Sequence, residues 1–114
     1  MDINIKEKED VDIIIREKED YILVQICAIH GVSPGELPQL LESVKNEVSR
    51  VYQGRGVVIS IHSGFEVPGW LHSALAHAVM WAPWVAHYDR YLGAVVAVSH
   101  DTDHPVGSII KVYV

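Results

Sequence analysis

The stretch from Ser33 to Ile61 constrains the fold more than any other part of this 114-residue chain. It opens with Ser33-Pro34-Gly35-Glu36, a capping box with proline at the first helical position, which predicts that two unpaired amides are satisfied reciprocally. Apolar residues from Leu37 to Tyr52 then recur at helical spacing, and Gly54 ends the helix. The β-branched run Gly56–Ile61 follows directly, and this order predicts a strand buried on both faces of a sheet.

The remaining segments extend this pattern into a β-β-α-β-α-β-β-β order. Strands are predicted at Val11–Ile15, Tyr21–Ile29, Gly56–Ile61, Trp84–Tyr88, Gly93–Ser99 and Ser108–Val114, with a second helix from about Gly69 to Trp81 that Pro83 stops. This second helix is apolar over most of its circumference, so we expect it to be largely covered. A helix follows the second strand and another follows the third. We therefore expect one α/β domain over residues 1–114, with a Rossmann-like core, a mixed sheet and a peripheral extension at residues 1–10.

Composition and charge limit the classes of function that this chain can have. With 49% hydrophobic and 21% charged residues, the chain is expected to fold, and its lone Cys27 excludes an internal disulfide and a thiolate metal cluster. Without a long apolar run or a signal peptide, the sequence predicts a cytoplasmic protein that does not enter a membrane. The formal charge of −6 disfavours indiscriminate nucleic-acid binding. Residues 55–114 are nearly neutral and hold six of the seven histidines, so a small anionic ligand is expected there.

The segment Ser60–Trp70 follows the buried strand and precedes the second helix, which is where α/β sheets bind ligands. Val67 offers no side-chain acceptor, so the first amides of that helix are free for a phosphate or another anion. The ligand-binding candidates are Ser60, His62, Ser63, Gly64, Pro68, Trp70 and His72. Trp70 and Phe65 are candidates for stacking on bases. The alternatives are a hydrated surface loop and, for the aromatic residues, a place in the core.

His77, Asp89 and His100 are candidates for a metal centre. His100 ends the strand beside the one that carries Asp89, and His77 approaches from the second helix. Mixed nitrogen and oxygen ligands of this kind suit manganese or zinc. His72 lies five residues before His77 and points elsewhere, so the two do not form a zinc pair. For each histidine taken alone, a hydrogen-bonded structural role is the alternative.

Several motifs together resemble the successive signatures of the Csx-three (Crn-three) family of type III CRISPR accessory proteins. They are Gly56-Val57-Val58-Ile59-Ser60, Pro68-Gly69-Trp70-Leu71-His72, Leu75-Ala76-His77, Pro83 to Ala86, Tyr88-Asp89, Leu92 to Val96, Ser99-His100 and Gly107 to Ile110. The match covers residues 11–114 in order and is dense from residue 56 onward.

The resemblance implies a compact variant of the CRISPR-associated Rossmann fold that binds cyclic tetra-adenylate as a homodimer, a tetramer or a higher assembly. It also implies a manganese-assisted ring nuclease that opens this messenger, switches off antiviral signalling and binds RNA 3′ ends. By motif, Asp89 and His100 correspond to active-site positions, His77 to the histidine of Leu-Ala-His, and Ser60 to the serine that ends the ligand-facing strand. The catalytic candidates are Asp89, Arg90, His100 and His77. The candidate metal ligands are His77, Asp89 and His100.

Three departures from the family pattern support an alternative function. Arg90 stands one residue early, Met80 stands where relatives carry a histidine, and Ile61–Pro68 replaces a shorter loop that contains an arginine. The alternative is a sensor or sponge that binds cyclic oligoadenylate or RNA ends without cutting them. A dimeric scaffold with a histidine-rich surface is the third possibility.

Overall fold

The computed structural model describes residues 2–8, 11–64 and 66–112. Its seven strands are β1 (Asp2–Lys8), β2 (Val11–Glu17), β3 (Tyr21–Ala28), β4 (Gly56–Ser63), β5 (Trp84–Asp89), β6 (Gly93–Ser99) and β7 (Ile109–Ile110). Its two α-helices are α1 (Leu37–Val51), which a 3-10 turn at Pro34–Glu36 precedes, and α2 (Gly69–Ala78). The predicted order of helices and strands is therefore found, with one additional strand at the N-terminus.

The centre of the sheet is parallel and its flanks are antiparallel. Strand β4 lies between β3 and β5 and is parallel to both, while β1, β2, β6 and β7 pair antiparallel. Each parallel step is made by a crossover helix, as parallel pairing requires. This arrangement confirms the predicted mixed α/β sheet.

The strand order departs from the Rossmann-like expectation. The seven strands lie side by side in chain order, β1-β2-β3-β4-β5-β6-β7. A Rossmann sheet instead has the strand order 3-2-1-4-5-6, and the reversal between its two halves places helices on both faces. Here both helices pack on one face, because the buried residues of α1 and α2 belong to one cluster that contains Ile13, Ile26 and Ile59.

The other face of the sheet carries a second, smaller core. Its centre is formed by Leu23, Val58 and Trp84, and the C-terminal residues Ile110 and Val112 pack against it. His104 stacks on Trp84 with ring centroids 5.1 Å apart. The segment after β6 therefore takes the place that a helix has on the first face.

Three local expectations are corrected. The N-terminal residues supply the edge strand β1, with Ile3 and Ile5 packed against the main core, rather than a peripheral extension. The capping box is not formed as expected, because the Ser33 hydroxyl donates to the Glu36 carboxylate at 2.8 Å and no side chain caps an amide of α1. The predicted last strand is limited to β7 within the described residues, and residues 113–114 lie outside them.

Helix α2 is shorter and less covered than its apolar sequence predicts. It ends at Ala78, and the chain then turns through hydrogen bonds such as Ala82 N–H to the Val79 carbonyl at 3.0 Å. Trp70 and Trp81 stay 41% and 39% exposed. Neither described helix is long and apolar enough to cross a membrane.

Candidate functional site

A cleft of about 450 Å³ opens at the carboxyl ends of β4 and β5. It is lined by Ile61, His62, Ser63, Tyr88 and Arg90. The parallel pairing of Ile59 with His87 places the ends of these two strands side by side. The sequence-based expectation of a ligand site after the buried strand therefore corresponds to a real concavity.

His62 is exposed and is held by the buried Ser60. The Ser60 hydroxyl lies 3.1 Å from His62 Nε2, two residues apart on the same face of β4. Ser60 itself is only 1% exposed, so it contacts the cleft through the imidazole. Strand β4 also continues to Ser63, three residues beyond the serine expected to end it. We therefore assign Ser60 a positioning role.

Asp89 shapes the turn that presents Arg90. Its Oδ1 accepts hydrogen bonds from the Tyr91 amide at 2.8 Å and from the Leu92 amide at 3.2 Å, which makes a side-chain-capped turn. The Arg90 guanidinium lies 5.3 Å from the Tyr91 ring centroid, and no carboxylate among the described residues pairs with it. The turn thus holds an exposed positive charge at the rim of the cleft.

The start of α2 lies in the same connection and has no side-chain cap. Pro68 is the N-cap residue, in extended conformation, and no side chain bonds the first amides. Space around Gly69 is open, whereas a Cβ on Gly64 would lie 2.8 Å from the Ile29 carbonyl oxygen. The close approach of the Ile29 backbone therefore requires Gly64 to lack a side chain. The uncapped amides at the start of α2 lie further along the same connection. Phe65, expected to stack on a base, lies outside the described residues.

His100 lies at the other end of the β5–β6 hairpin from Asp89. Asp89 pairs with Gly93, whereas Trp84 pairs with Ser99, the residue before His100. Five residues of strand correspond to about 17 Å. The expectation that the hairpin brings Asp89 and His100 together within one chain is wrong.

His77 and His100 share this second end. His100 Nε2 donates to the Met80 carbonyl at 3.0 Å, and the Met80 amide bonds the His77 carbonyl at 3.3 Å. Because a carbonyl only accepts, the proton of a neutral His100 is on Nε2 and its Nδ1 is the basic nitrogen. The catalytic candidates therefore form two groups, Asp89 with Arg90 at one end and His77 with His100 at the other.

A larger cavity of about 710 Å³ lies at the amino ends of the parallel strands, around Trp84. Two ion pairs lie at this cavity: Arg55 bonds Glu17 at 2.6 Å, and His104 Nδ1 bonds Asp101 at 2.8 Å. The His104 hydrogen bond lowers the pKa of Asp101. These pairs stabilise the ends of strands. We therefore place the functional site at the smaller cleft, where Arg90 has no such partner.

A family model described as CRISPR-associated protein (Cas_csx3) matches residues 29–111. The chain belongs to this family. The match spans α1, α2 and the strands from β4 onward, and therefore includes the cleft and both groups of catalytic candidates. The Csx-three resemblance seen in the motifs is confirmed.

The manganese that the Csx-three resemblance implies does not fit the expected ligands within one chain. Metal ligands must lie within a few ångströms of one another, but Asp89 and His100 lie at opposite ends of a hairpin. Among the residues that the structure describes, no three His, Cys, Asp or Glu side chains converge on a common point. One carboxylate oxygen of Asp89 also accepts hydrogen bonds from the Tyr91 and Leu92 amides.

Two features of the site were missed from the sequence. Tyr88 lines the cleft, and it lies two residues after the buried Ala86 on the same face of β5. His72 does not face the ligand cleft but contacts His87, with 3.0 Å between the two Nδ1 atoms. His87 and Asp89 are two residues apart, which would place them on one face of a strand, but β5 ends at Asp89, whose carboxylate bonds the turn.

Proposed function

We propose that the protein binds cyclic tetra-adenylate at the carboxyl-end cleft and opens its ring. The observation that carries the proposal is the unpaired Arg90 beside the exposed His62, in a chain of the Csx-three family. Both side chains favour binding of a phosphate, because a guanidinium forms bidentate hydrogen bonds to phosphate and an imidazole donates a hydrogen bond to it. The uncapped amides at Gly69 and Trp70, in the connection that follows β4, are further donors.

Ring opening needs no protein nucleophile. The ligand's own 2′-hydroxyl attacks the adjacent phosphorus, the bond from phosphorus to the 5′ oxygen breaks, and a 2′,3′-cyclic phosphate forms. One proton leaves the 2′ oxygen and one is delivered to the 5′ oxygen, so the step requires a base, an acid and a positive charge near the phosphorane. Arg90 supplies the charge, and His62 is the imidazole of the same cleft that can move a proton.

Asp89 acts on this chemistry through the turn. Its carboxylate fixes the amides of Tyr91 and Leu92 and thereby the direction of Arg90. We infer that Asp89→Asn, whose side-chain oxygen still accepts these bonds, keeps most of the ring-opening rate, whereas Asp89→Ala loses it. If Asp89 is instead a metal ligand or a base, both variants lose activity equally.

His77 and His100 enter this scheme only from another copy of the chain. They lie about 17 Å along the sheet from Asp89, at the end where Trp84 pairs with Ser99. His100 Nδ1, the basic nitrogen of its neutral form, is available there. We infer that a ligand held between protomers brings the carboxyl end of one copy to the amino end of the next. Such an assembly accords with the dimers around the ring that the family resemblance implies.

Binding is tested by calorimetry with cyclic tetra-adenylate, cyclic hexa-adenylate and linear RNA of the same base. We expect the tetramer to bind most tightly, and binding to weaken at least tenfold in Arg90→Ala. Lys45→Ala is the matched control, because this exposed cation lies in the middle of α1 and does not line the cleft. No detectable binding of the tetramer would refute the proposal.

A non-catalytic sensor or sponge is the second candidate function. Met80 favours it, because this residue stands where relatives carry a histidine and presents only a carbonyl to His100. A single-turnover cleavage assay with and without manganese separates the two functions. A nuclease converts the ring to linear product under at least one condition, and a sponge leaves it intact under all of them.

A further inference from the structure

His72 of α2 and His87 of β5 are in direct contact. Their Nδ1 atoms lie 3.0 Å apart, and the ring planes meet at 80° with centroids 4.8 Å apart. At this distance one nitrogen donates a proton to the lone pair of the other. The two rings therefore share one proton and direct two nitrogens at one point.

Both imidazoles are partly buried, which disfavours their charged forms. Burial lowers the pKa of His72, and burial followed by the neighbouring His72 lowers the pKa of His87 to about 4. Neutral imidazole is the form that binds metals. Two neutral rings in contact also present no charge that would repel a cation.

We propose that His72 and His87 form a binding site for a divalent transition metal that prefers imidazole, of the copper(II), nickel(II) and zinc(II) class. The metal takes the place of the shared proton, which moves from Nδ1 to Nε2 of the ring that donated it. Each Nδ1 then binds the metal, and no net proton is released. Manganese is excluded from this site by its preference for carboxylate and carbonyl oxygen.

The distance between the nitrogens indicates the coordination geometry. Two nitrogens bound at about 2.1 Å and at a right angle lie about 3.0 Å apart, whereas a tetrahedral angle separates them by roughly 3.4 Å. The observed 3.0 Å matches the right angle. Copper(II) and nickel(II), which favour square or octahedral geometry, therefore fit this spacing, and zinc(II) requires a small opening of the pair.

A cavity of about 340 Å³ beside the pair leaves room for the remaining ligands. Its other polar or sulfur-bearing lining residues are Ser73, His77 and Met80. Each water needs about 30 Å³, so several fit. Since no three ligand-type side chains converge in the described parts of the chain, the site has two histidine ligands completed by water. His77 is the nearest candidate for a third.

Calorimetry of untagged protein with nickel chloride tests the site at pH 7.5. We expect one nickel per chain, with affinity reduced at least tenfold in His72→Ala and in His87→Ala. His104→Ala is the matched control, because Asp101 already engages its Nδ1, and its affinity stays at the wild-type value. Manganese chloride is expected to give no heat that either histidine variant removes.

Equal nickel affinity in the wild type and both variants would overturn the proposal. Circular dichroism of each variant checks its fold. If a variant does not fold, copper(II) added to the wild type supplies the second test, since its unpaired electron broadens nearby amide resonances. Broadening centred on α2 and β5 supports the site, and broadening centred elsewhere refutes it. Neither measurement involves cyclic tetra-adenylate, so its result is independent of the proposed ring opening.

Discussion

Mixing two inactive variants tests whether the catalytic residues come from different copies of the chain. Asp89→Ala and His100→Ala are each expected to reduce ring opening by roughly 100-fold or more. In the structure the two residues lie at opposite ends of the β5–β6 hairpin. If a site combines the carboxyl end of one copy with the amino end of another, a mixture contains some sites that hold both wild-type residues.

The expected recovery of ring-opening activity follows from the fraction of sites that hold both wild-type residues. In an equal mixture, the carboxyl end comes from the His100→Ala chain in half of the sites and the amino end from the Asp89→Ala chain in half. About one quarter of the sites are therefore intact, and the mixture regains about one quarter of the wild-type rate. This fraction holds when copies exchange singly, and also when each site lies between two preformed dimers.

A second mixture provides the control. Asp89 and Arg90 are neighbours, so they reach any site on the same chain. A mixture of Asp89→Ala with Arg90→Ala therefore stays at the rate of the single variants. The assay is single-turnover conversion of cyclic tetra-adenylate with protein in excess. If both single variants are inactive and their mixture shows no recovery, the residues act within one copy and the two-copy site is refuted.

Three further outcomes are expected. Because burial lowers the pKa of His87 from 6.5 to about 4, the unfolded chain binds more protons between these values. The free energy of unfolding should therefore fall by about 1 to 2 kcal/mol from pH 7 to pH 4, after discounting for partial exposure, and urea unfolding should show no such loss in His87→Gln. Gly56→Ala should cost about 3 kcal/mol or more, because its Cβ would lie 1.9 Å from the Trp84 ring, and a thermal midpoint near that of the wild type would contradict this packing. Arg90→Lys should bind cyclic tetra-adenylate more tightly than Arg90→Ala but retain less of the ring-opening rate than wild type, since it keeps the charge without the planar fork.

Local sequence signals predicted the centre of the fold because each element there is marked independently. The spacing of the apolar residues in α1 identifies a helix, and the β-branched run of β4 identifies a buried strand. Neither identification needs information from the rest of the chain. Strand β1 carries only a short signal, since the alternation of Ile3 and Ile5 with polar residues ends in a highly charged segment. Its pairing depends on β2, which the local pattern does not contain. Strand order likewise depends on which face each helix covers, and no local pattern encodes that choice.

The candidate site was predicted in its parts but not in its arrangement. His62 and Arg90 line the cleft as expected of residues after buried strands. The grouping of Asp89 with His100 was wrong, although hairpin geometry already contains the correction. In an antiparallel hairpin the residue after the second strand lies beside the residue before the first. His100 therefore lies near Pro83, whose carbonyl accepts its amide at 2.8 Å.

No motion within one chain unites the two ends of the sheet. Moving His100 to Asp89 would break the β5–β6 ladder, which consists of six residue pairs with one bulge. At about 1 kcal/mol for each backbone hydrogen bond lost, together with the exposure of Ala86 and Val96, the cost approaches the whole stability of a small domain. A second copy leaves every strand intact and needs only a contact between two surfaces. If His100 takes part in ring opening at all, the topology of the hairpin therefore requires that it act on a ligand held by another copy.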